Sequence, residues 1–241
     1  MKNNLLVFNP QPTIEEIFFS PGQSCLVIDN AVLNPDGLVR FAAEHFKDFQ
    51  PPTVYAYPGM ELLGSSEISA ALNDFFLTHI RHSFQGRRTV SMYSRLSLMT
   101  LQPSELKPSQ WICHRDRYIN EPHLSIAASV LYLFLDPAFG GTSFYRPKKP
   151  SREIERLIND STSLSAEAFK QKYSLKADYM TASNDYFELI GQVAAKWNRI
   201  IFYDGSIFHS SSFCAPEKIK ADPLSGRLTF NGFFTCRKNA S

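Results

Sequence analysis

The stretch SIAASVLYLFLDPAFGGTSFYR, residues 125–146, contains two apolar runs separated by an acidic turn and a Gly-Gly pair. Runs of this kind, rich in β-branched and aromatic residues and bounded by Pro and Gly, are typical of strands. Comparable runs occur at 89–101, 109–116, 198–213 and 226–236. The middle and the end of the chain are therefore predicted to form strands.

Other segments have helical patterns. Asn34 is a suitable N-cap for the segment 34–46. Ser65 or Ser66 can cap the segment 65–84, whose apolar residues form one helical stripe. Helices followed by strands favour an antiparallel sheet with supporting helices over repeated βαβ units.

This order predicts one α+β domain, mainly β with flanking helices, over residues 1–241. Residues 1–88 are expected to supply a supporting strand, at 24–30, and the helices. The β core is expected at 89–150 and 193–241, interrupted by a mostly helical insertion at 151–192. Such long insertions between core strands often form lids or dimer contacts. The insertion's final segment, 185–189, is a candidate for the mouth of a site.

Composition limits the classes of function. The chain has 25 basic and 23 acidic residues, so no basic footprint indicates a nucleic-acid or membrane-surface partner. No apolar run approaches the ~18 residues of a membrane span, and the first ten residues lack a signal-peptide core. The four cysteines show no C-x-x-C spacing, which argues against a structural zinc site or a disulfide framework. These features favour a soluble protein in a reducing compartment, most simply the cytoplasm.

The stretch SQWICHRDRYINEP, residues 109–122, contains the letters HRD of a protein-kinase catalytic loop. In a kinase, an asparagine that holds magnesium follows the aspartate by five positions, whereas Asn120 lies one position too early. No G-x-G-x-x-G precedes the motif and no D-F-G follows it. The kinase interpretation is therefore rejected.

The same letters also fit a metal site. Residues i and i+2 of a strand point to one face, so His114 and Asp116 can both be directed at one metal ion. His209 ends the later strand run 198–213 and can supply a third ligand. Two histidines and one carboxylate suit ferrous iron. The alternatives are a hydrogen-bonded histidine in a polar loop for His114 and a turn-capping histidine for His209.

Four pieces of sequence, in order, carry a resemblance to a known family. They are HRD at 114–116, SVLYLFLDPAFGGTSFYR at 129–146, NRIIFYDGSIFHSS at 198–211 and GRLTFNGFF at 226–234. The region 90–236 resembles the iron(II)/2-oxoglutarate-dependent dioxygenases, in their prolyl-4-hydroxylase-like branch. The stretch RLSLMTLQPSELKPSQ before the first piece is similar to a poorly characterised bacterial subgroup of that superfamily.

The resemblance implies a double-stranded β-helix, or jelly-roll, core with His114, Asp116 and His209 as the iron ligands. Arg227 would bind the C5 carboxylate of 2-oxoglutarate and Thr229 would be its hydroxyl partner. Tyr132 is a further candidate contact to 2-oxoglutarate. The separation 227 − 209 = 18 residues is longer than is usual in that family, and the loop-like stretch 212–226 accounts for the difference.

The function implied is an iron(II)- and 2-oxoglutarate-dependent oxygenase that uses O2 to hydroxylate a peptide side chain, an amino acid or a small metabolite. One alternative is a binding or sensing protein that keeps the metal-binding jelly roll without turnover. Another is a zinc hydrolase on the same three ligands.

Overall fold

The computed structural model describes residues 5–52, 57–116, 121 and 123–238. Within them the strands are β1 (Glu15–Ser20), β2 (Gln23–Ile28), β3 (Gly59–Leu63), β4 (Gly86–Met99), β5 (Leu124–Tyr132), β6 (Thr142–Pro147), β7 (Phe187–Val193), β8 (Ile200–Asp204), β9 (Phe208–Ser211) and β10 (Leu228–Lys238). The α-helices are α1 (Pro35–Glu44), α2 (Ser66–Phe75), α3 (Ser151–Ser163) and α4 (Ala166–Tyr173). The chain is thus mainly β with flanking helices, as the sequence predicts.

The strands form two antiparallel sheets. The larger has the order β1-β2-β8-β5-β10-β4-β3 and the smaller the order β7-β6-β9. The sheets pack face to face, since the Phe144 ring of β6 lies 5.1 Å from the Tyr203 ring of β8, measured between centroids. Between the same layers, Tyr132 Oη of β5 hydrogen-bonds to Thr142 Oγ1 of β6 at 2.8 Å. Two facing antiparallel sheets make the jelly-roll core that the sequence predicts.

The two faces of strand β10 have different neighbours. One face packs against the helices and the other lines a cleft. On its helix side, the Phe234 ring stacks on Phe76, after α2, at 4.0 Å. A Cβ on Gly232 would lie 2.4 Å from the Leu72 side chain, so this glycine lets α2 approach the sheet. The alternate side chains of β10 point the other way and line a cleft: Thr229, Asn231 and Phe233.

The predicted helix caps are confirmed. Asn34 Oδ1 accepts the Gly37 N–H at 3.1 Å, and Ser65 Oγ accepts the Ile68 N–H at 3.3 Å. After α2 the chain continues as a π-helical turn (Phe76–Ile80) and a 3-10 turn (Arg81–Phe84), which explains the single long stripe in the sequence. Among the described residues, no helix combines the length and the apolar character needed to cross a membrane.

The segment 151–192 differs from the predicted pattern at its end. Its helices α3 and α4 bury Leu157 and Phe169 completely against the jelly-roll core. The segment then ends in strand β7, which pairs with β6 in the small sheet. Strands β1 and β3 were also not foreseen. All three lie at sheet edges, where pairing with one neighbour determines the strand more than the short local pattern does.

Candidate metal centre

His114 and His209 lie opposite each other on two extended segments. The His114 N–H donates to the His209 carbonyl at 3.0 Å, and the His209 N–H donates to the His114 carbonyl at 2.8 Å. The pair is an isolated β-bridge rather than part of the longer strand expected at 109–116. Arg115 turns away and its guanidinium lies 4.5 Å from the centre of the Phe208 ring. His114 and Asp116 therefore face the same side, as the alternation rule requires.

The structure brings the three predicted ligands together. Asp116 Oδ1 lies 3.9 Å from His114 Nε2 and 3.5 Å from His209 Nε2. One ligand atom from each residue can be chosen such that all three lie within 4.8 Å of one another. Among the described residues this is the one group of His, Cys, Asp and Glu with such spacing. The rings of His114 and His209 are 4.5 Å apart, which leaves their Nε2 atoms beside one carboxylate.

The protonation chemistry suits a divalent metal. Partial burial and the neighbouring His209 lower the pKa of His114 against the opposing effect of Asp116, so its imidazole is neutral at pH 7. Burial would raise the pKa of Asp116, but His209 and His114 outweigh it and keep the carboxyl ionised. Burial also disfavours the charged form of His209, yet Asp116 raises its pKa overall. His209 Nδ1 lies 2.9 Å from the Ile207 carbonyl, which places the Nδ1 proton there and leaves Nε2 for a metal.

Asp116 is held in a way that fits a cation ligand. Its Oδ2 atom is buried and has no hydrogen-bond partner in the described protein. Its backbone N–H donates to the Gly205 carbonyl at 3.0 Å. A Cβ on Gly205 would lie 3.1 Å from Oδ2 and 2.9 Å from Ile126 Cγ2, so the glycine leaves room for the carboxylate. A buried carboxylate with an unpaired oxygen and two imidazoles at hand is a donor set that a divalent cation satisfies.

The triad opens into a cleft of about 770 Å³, counting the part open to solvent. Arg227 and Thr229 of the sequence prediction line the same cleft. Both are almost fully buried, with 4% and 1% of their surface exposed.

Arg227 is a buried cation without an acidic partner among the described residues. Its Nε donates to the Phe139 carbonyl at 2.8 Å and its Nη2 to the Gly141 carbonyl at 3.0 Å. The guanidinium carbon lies 5.4 Å from the centre of the Phe134 ring. Burial lowers the pKa of Arg227, although arginine remains charged at any ordinary pH. A fixed, uncompensated guanidinium at a cleft wall is suited to bind a carboxylate.

Three hydroxyl groups lie in the region of Arg227: those of Tyr57, Thr229 and Tyr132. Tyr57 Oη is buried beside Arg227 and Thr229, close enough to interact with both, but it makes no hydrogen bond of standard geometry in the described protein. Thr229 Oγ1 makes only a long 3.4 Å bond to the Ser97 carbonyl. Tyr132 does not line the cleft; its hydroxyl bonds to Thr142, which does. A direct contact between Tyr132 and 2-oxoglutarate stays a prediction.

The sequence analysis missed several cleft residues. Tyr57, Arg95 and Asn231 belong to this set, and Tyr179 and Met180 enter from the segment between α4 and β7. Met180 Sδ accepts the Cys113 N–H at 3.2 Å, and the Met180 carbonyl accepts from Tyr145 Oη at 3.0 Å. The insertion therefore does reach the cleft, but by Tyr179 and Met180 rather than by residues 185–189. Alternation with Thr229 along β10 is a signal that could have identified Asn231; no sequence signal marked the loop residues.

Solved structures similar to this chain are enzymes at low sequence identity. A Pseudomonas putida prolyl-4-hydroxylase is 14% identical, covers 91% of this chain and 95% of its own, and has a TM-score of 0.42. HygX from Streptomyces hygroscopicus, solved with nickel, 2-oxoglutarate and hygromycin B, is 12% identical, with coverage of 88% and 82% and a TM-score of 0.45. SnoN, a non-heme α-ketoglutarate-dependent epimerase from nogalamycin biosynthesis, is 8% identical, with coverage of 89% and 81% and a TM-score of 0.44. At these values the function of this chain has to be judged from its own residues.

Comparison with curated protein sequences finds no match. A family model does match, over residues 10–234, and it is described as a family of unknown function, DUF6445. The matched range includes strands β1 to β9, the first part of β10, the three metal-ligand candidates and Arg227. The chain therefore belongs to the DUF6445 family.

Proposed function

We propose that this protein is an iron(II)- and 2-oxoglutarate-dependent oxygenase that hydroxylates a peptide side chain, an amino acid or a small metabolite. The observation that carries the proposal is the pairing, in one cleft, of a His-Asp-His cluster with a buried arginine that has no acidic partner among the described residues. The first suits an oxygen-activating metal and the second suits the far carboxylate of a dicarboxylate cosubstrate.

Each group of the chain has a defined task in this proposal. The iron would be held by His114, Asp116 and His209. His209 would lose the proton on Nε2 when that atom binds the metal. Arg227 would bind the C5 carboxylate of 2-oxoglutarate, assisted by the hydroxyls of Thr229 and Tyr57. The buried side chains around them exclude water from the cleft.

Iron(II), 2-oxoglutarate and O2 together supply an oxidant that converts a substrate C–H into C–OH while 2-oxoglutarate becomes succinate and CO2. The protein would hold the metal ligands and the cosubstrate in position and would limit the access of water to them. The four cysteines are all unpaired, which agrees with work in a reducing compartment such as the cytoplasm.

The test is an anaerobic titration of metal-free protein with ferrous iron and then 2-oxoglutarate, followed by visible absorption of the iron–2-oxoglutarate chelate. We expect the band in wild type and its loss in His209→Ala. In Arg227→Met, which keeps much of the side-chain volume, we expect half-saturation to need at least ~10-fold more 2-oxoglutarate, because a charge-assisted hydrogen bond contributes ~1.5–3 kcal/mol.

Two surface variants serve as matched controls. His123→Ala removes an exposed histidine that pairs with Glu121, and Arg146→Met removes an exposed arginine that pairs with Glu188. Neither should change the titration. If wild type binds iron but never forms the chelate with 2-oxoglutarate, the oxygenase proposal is wrong.

A binding or sensing protein with the same fold is the alternative. Conversion of 2-oxoglutarate to succinate without added substrate separates the two proposals, because a protein that only binds has no turnover. A zinc hydrolase would instead show metal-dependent hydrolysis that does not need 2-oxoglutarate.

A further inference from the structure

A second groove opens beside the metal cleft. Its walls include Pro51 and Pro52, the inner edge of β3 at Glu61–Leu63, and Tyr93, Arg95 and Phe233; we call it the lateral groove. It shares His114, Asp116 and Arg95 with the metal cleft. A molecule bound in the lateral groove therefore lies next to the candidate metal ligands.

Arg95 stands where the two cavities meet. It lies on β4, opposite Asn231 of β10 on one side and Leu63 of β3 on the other. One quarter of its side chain is exposed. Arg95 can thus contact a ligand in the groove and hold it near the metal ligands.

The guanidinium is held in position by protein on two sides. Arg95 Nη1 donates to Glu61 Oε2 at 3.0 Å. The guanidinium carbon also lies 4.5 Å from the centre of the Phe233 ring. A guanidinium fixed in this way loses little conformational freedom when it binds a ligand.

The ion pair between Glu61 and Arg95 leaves one polar atom of each side chain without a hydrogen bond. Glu61 Oε1 and Arg95 Nε are buried without hydrogen-bond partners in the described protein. Burial of Glu61 raises its pKa, with the charge of Arg95 and the hydrogen bond from it opposing. A half-buried ion pair of this kind is weak evidence for a stabilising role. Its position at the junction of two cavities indicates a recognition role.

The groove also offers an aromatic surface. The rings of Tyr93 and Phe233 stack at 4.8 Å with an angle of 18° between their planes. Tyr93 and Leu63 are 48% and 72% exposed, although large apolar side chains usually avoid water. This surface adjoins Arg95, so one ligand can place an apolar or aromatic body on the rings and an acceptor group on the guanidinium.

We propose that Arg95 binds a carboxylate of the substrate and that Tyr93 and Phe233 pack against an apolar or aromatic body next to it. The inference rests on the proposed function, because it takes the metal cleft as the place of reaction. It narrows the substrate to an organic acid, such as an acylated amino acid or the C-terminus of a short peptide.

The probe is N-acetylphenylalanine, with N-acetylphenylalaninamide as its uncharged analogue. Protein loaded with Ni(II), a redox-inert substitute for iron, and saturating 2-oxoglutarate is titrated with each probe by calorimetry. We expect wild type to bind the acid more tightly than the amide. In Arg95→Gln the acid should bind ~10- to 100-fold more weakly and the preference should disappear, because one charge-assisted contact is lost.

Glu61→Gln distinguishes recognition from structural support. It removes the anion that competes for Arg95, so we expect the acid to bind as tightly as in wild type or more tightly. A merely structural ion pair would make both variants lose affinity alike. Arg95→Lys, which keeps the charge, should retain part of the acid preference if Arg95→Gln is poorly folded by circular dichroism.

Arg146→Gln is the matched surface control, because Arg146 pairs with Glu188 at 2.6 Å outside both cavities. It should behave as wild type. Equal binding of acid and amide by wild type, or no binding of the acid, overturns the proposal. Failure of the oxygenase function would be seen separately, in the titration with ferrous iron and 2-oxoglutarate and in the conversion of 2-oxoglutarate to succinate.

Discussion

His114 and His209 exchange both of their backbone hydrogen bonds, at 3.0 and 2.8 Å, although they are far apart in the sequence. In such a pair the two Cα atoms lie ~5.5 Å apart and the side chains leave on the same face. The bridge therefore fixes the spacing of two candidate metal ligands through the main chain, independently of a metal. Asp116 joins them through its own backbone bond to Gly205.

This arrangement leads to a prediction about stability. A metal that binds only the folded chain stabilises it by ~2.7 kcal/mol at 100 times the dissociation constant. We expect Ni(II) to raise the unfolding temperature of wild type and to leave His209→Ala unchanged. Differential scanning fluorimetry with and without Ni(II) measures this. An equal rise in both proteins would place the metal elsewhere.

Gly205 is expected to determine how well Asp116 can bind a metal. In Gly205→Ala the new Cβ would lie 3.1 Å from Asp116 Oδ2 and 2.9 Å from Ile126 Cγ2, so the carboxylate must move. Positioning groups of this kind typically change metal affinity ~10- to 100-fold. Calorimetric titration with Ni(II) is the measurement. The control is Ser206→Ala, an exposed neighbour in the same turn, which should bind as wild type.

Tyr57→Phe should separate ligand binding from folding. The Tyr57 hydroxyl is buried beside Arg227 without a hydrogen bond of standard geometry, so its removal takes away a poorly satisfied polar atom. We expect the unliganded protein to be as stable as wild type or more stable, while 2-oxoglutarate binds several-fold more weakly. Urea unfolding and a 2-oxoglutarate titration measure the two effects. A loss of stability with unchanged binding would show that the hydroxyl serves the fold instead.

Acid should weaken the ion pairs that Asp29, just after β2, makes with Lys196 and Arg199, just before β8. Asp29 accepts from Arg199 Nε at 2.6 Å and from Lys196 Nζ at 2.7 Å, and these bonds, Arg199 first, lower its pKa to about 2. The unfolded value is ~3.9, so the folded chain holds its proton less tightly. The stabilisation is therefore complete above about pH 4 and is lost as the pH falls towards 2.

Because a third of the Asp29 side chain is exposed, we expect Asp29→Asn to lower the free energy of unfolding by only ~1 kcal/mol near neutral pH. The difference from wild type should shrink as the pH falls below about 4. Urea unfolding across this range checks the trend. Glu188→Gln, in an exposed surface pair, should show a smaller change, and a pH-independent loss in Asp29→Asn would contradict the assignment.

The sequence alone was sufficient to predict a β core and the three candidate metal ligands. Apolar runs of strand length and the Asn34 and Ser65 caps act locally, so pattern and capping chemistry were sufficient for them. The i, i+2 spacing of His114 and Asp116 likewise needs only an extended backbone. Arg227, just before β10, and Thr229, in β10, are also two residues apart, and both line the same cleft.

The tertiary structure decided what lies around those residues. Strand β7 exists because β6 pairs with it, and Tyr57, Tyr179 and Met180 reach the cleft on loops whose course no local pattern specifies. The junction of Arg95 with Glu61 depends on the register between β3 and β4. Register and loop placement come from contacts between distant segments, whereas propensity and alternation are properties of neighbouring residues. For this reason the sequence indicated the metal ligands and Arg227, and only the fold revealed Tyr57, Arg95 and the lateral groove around them.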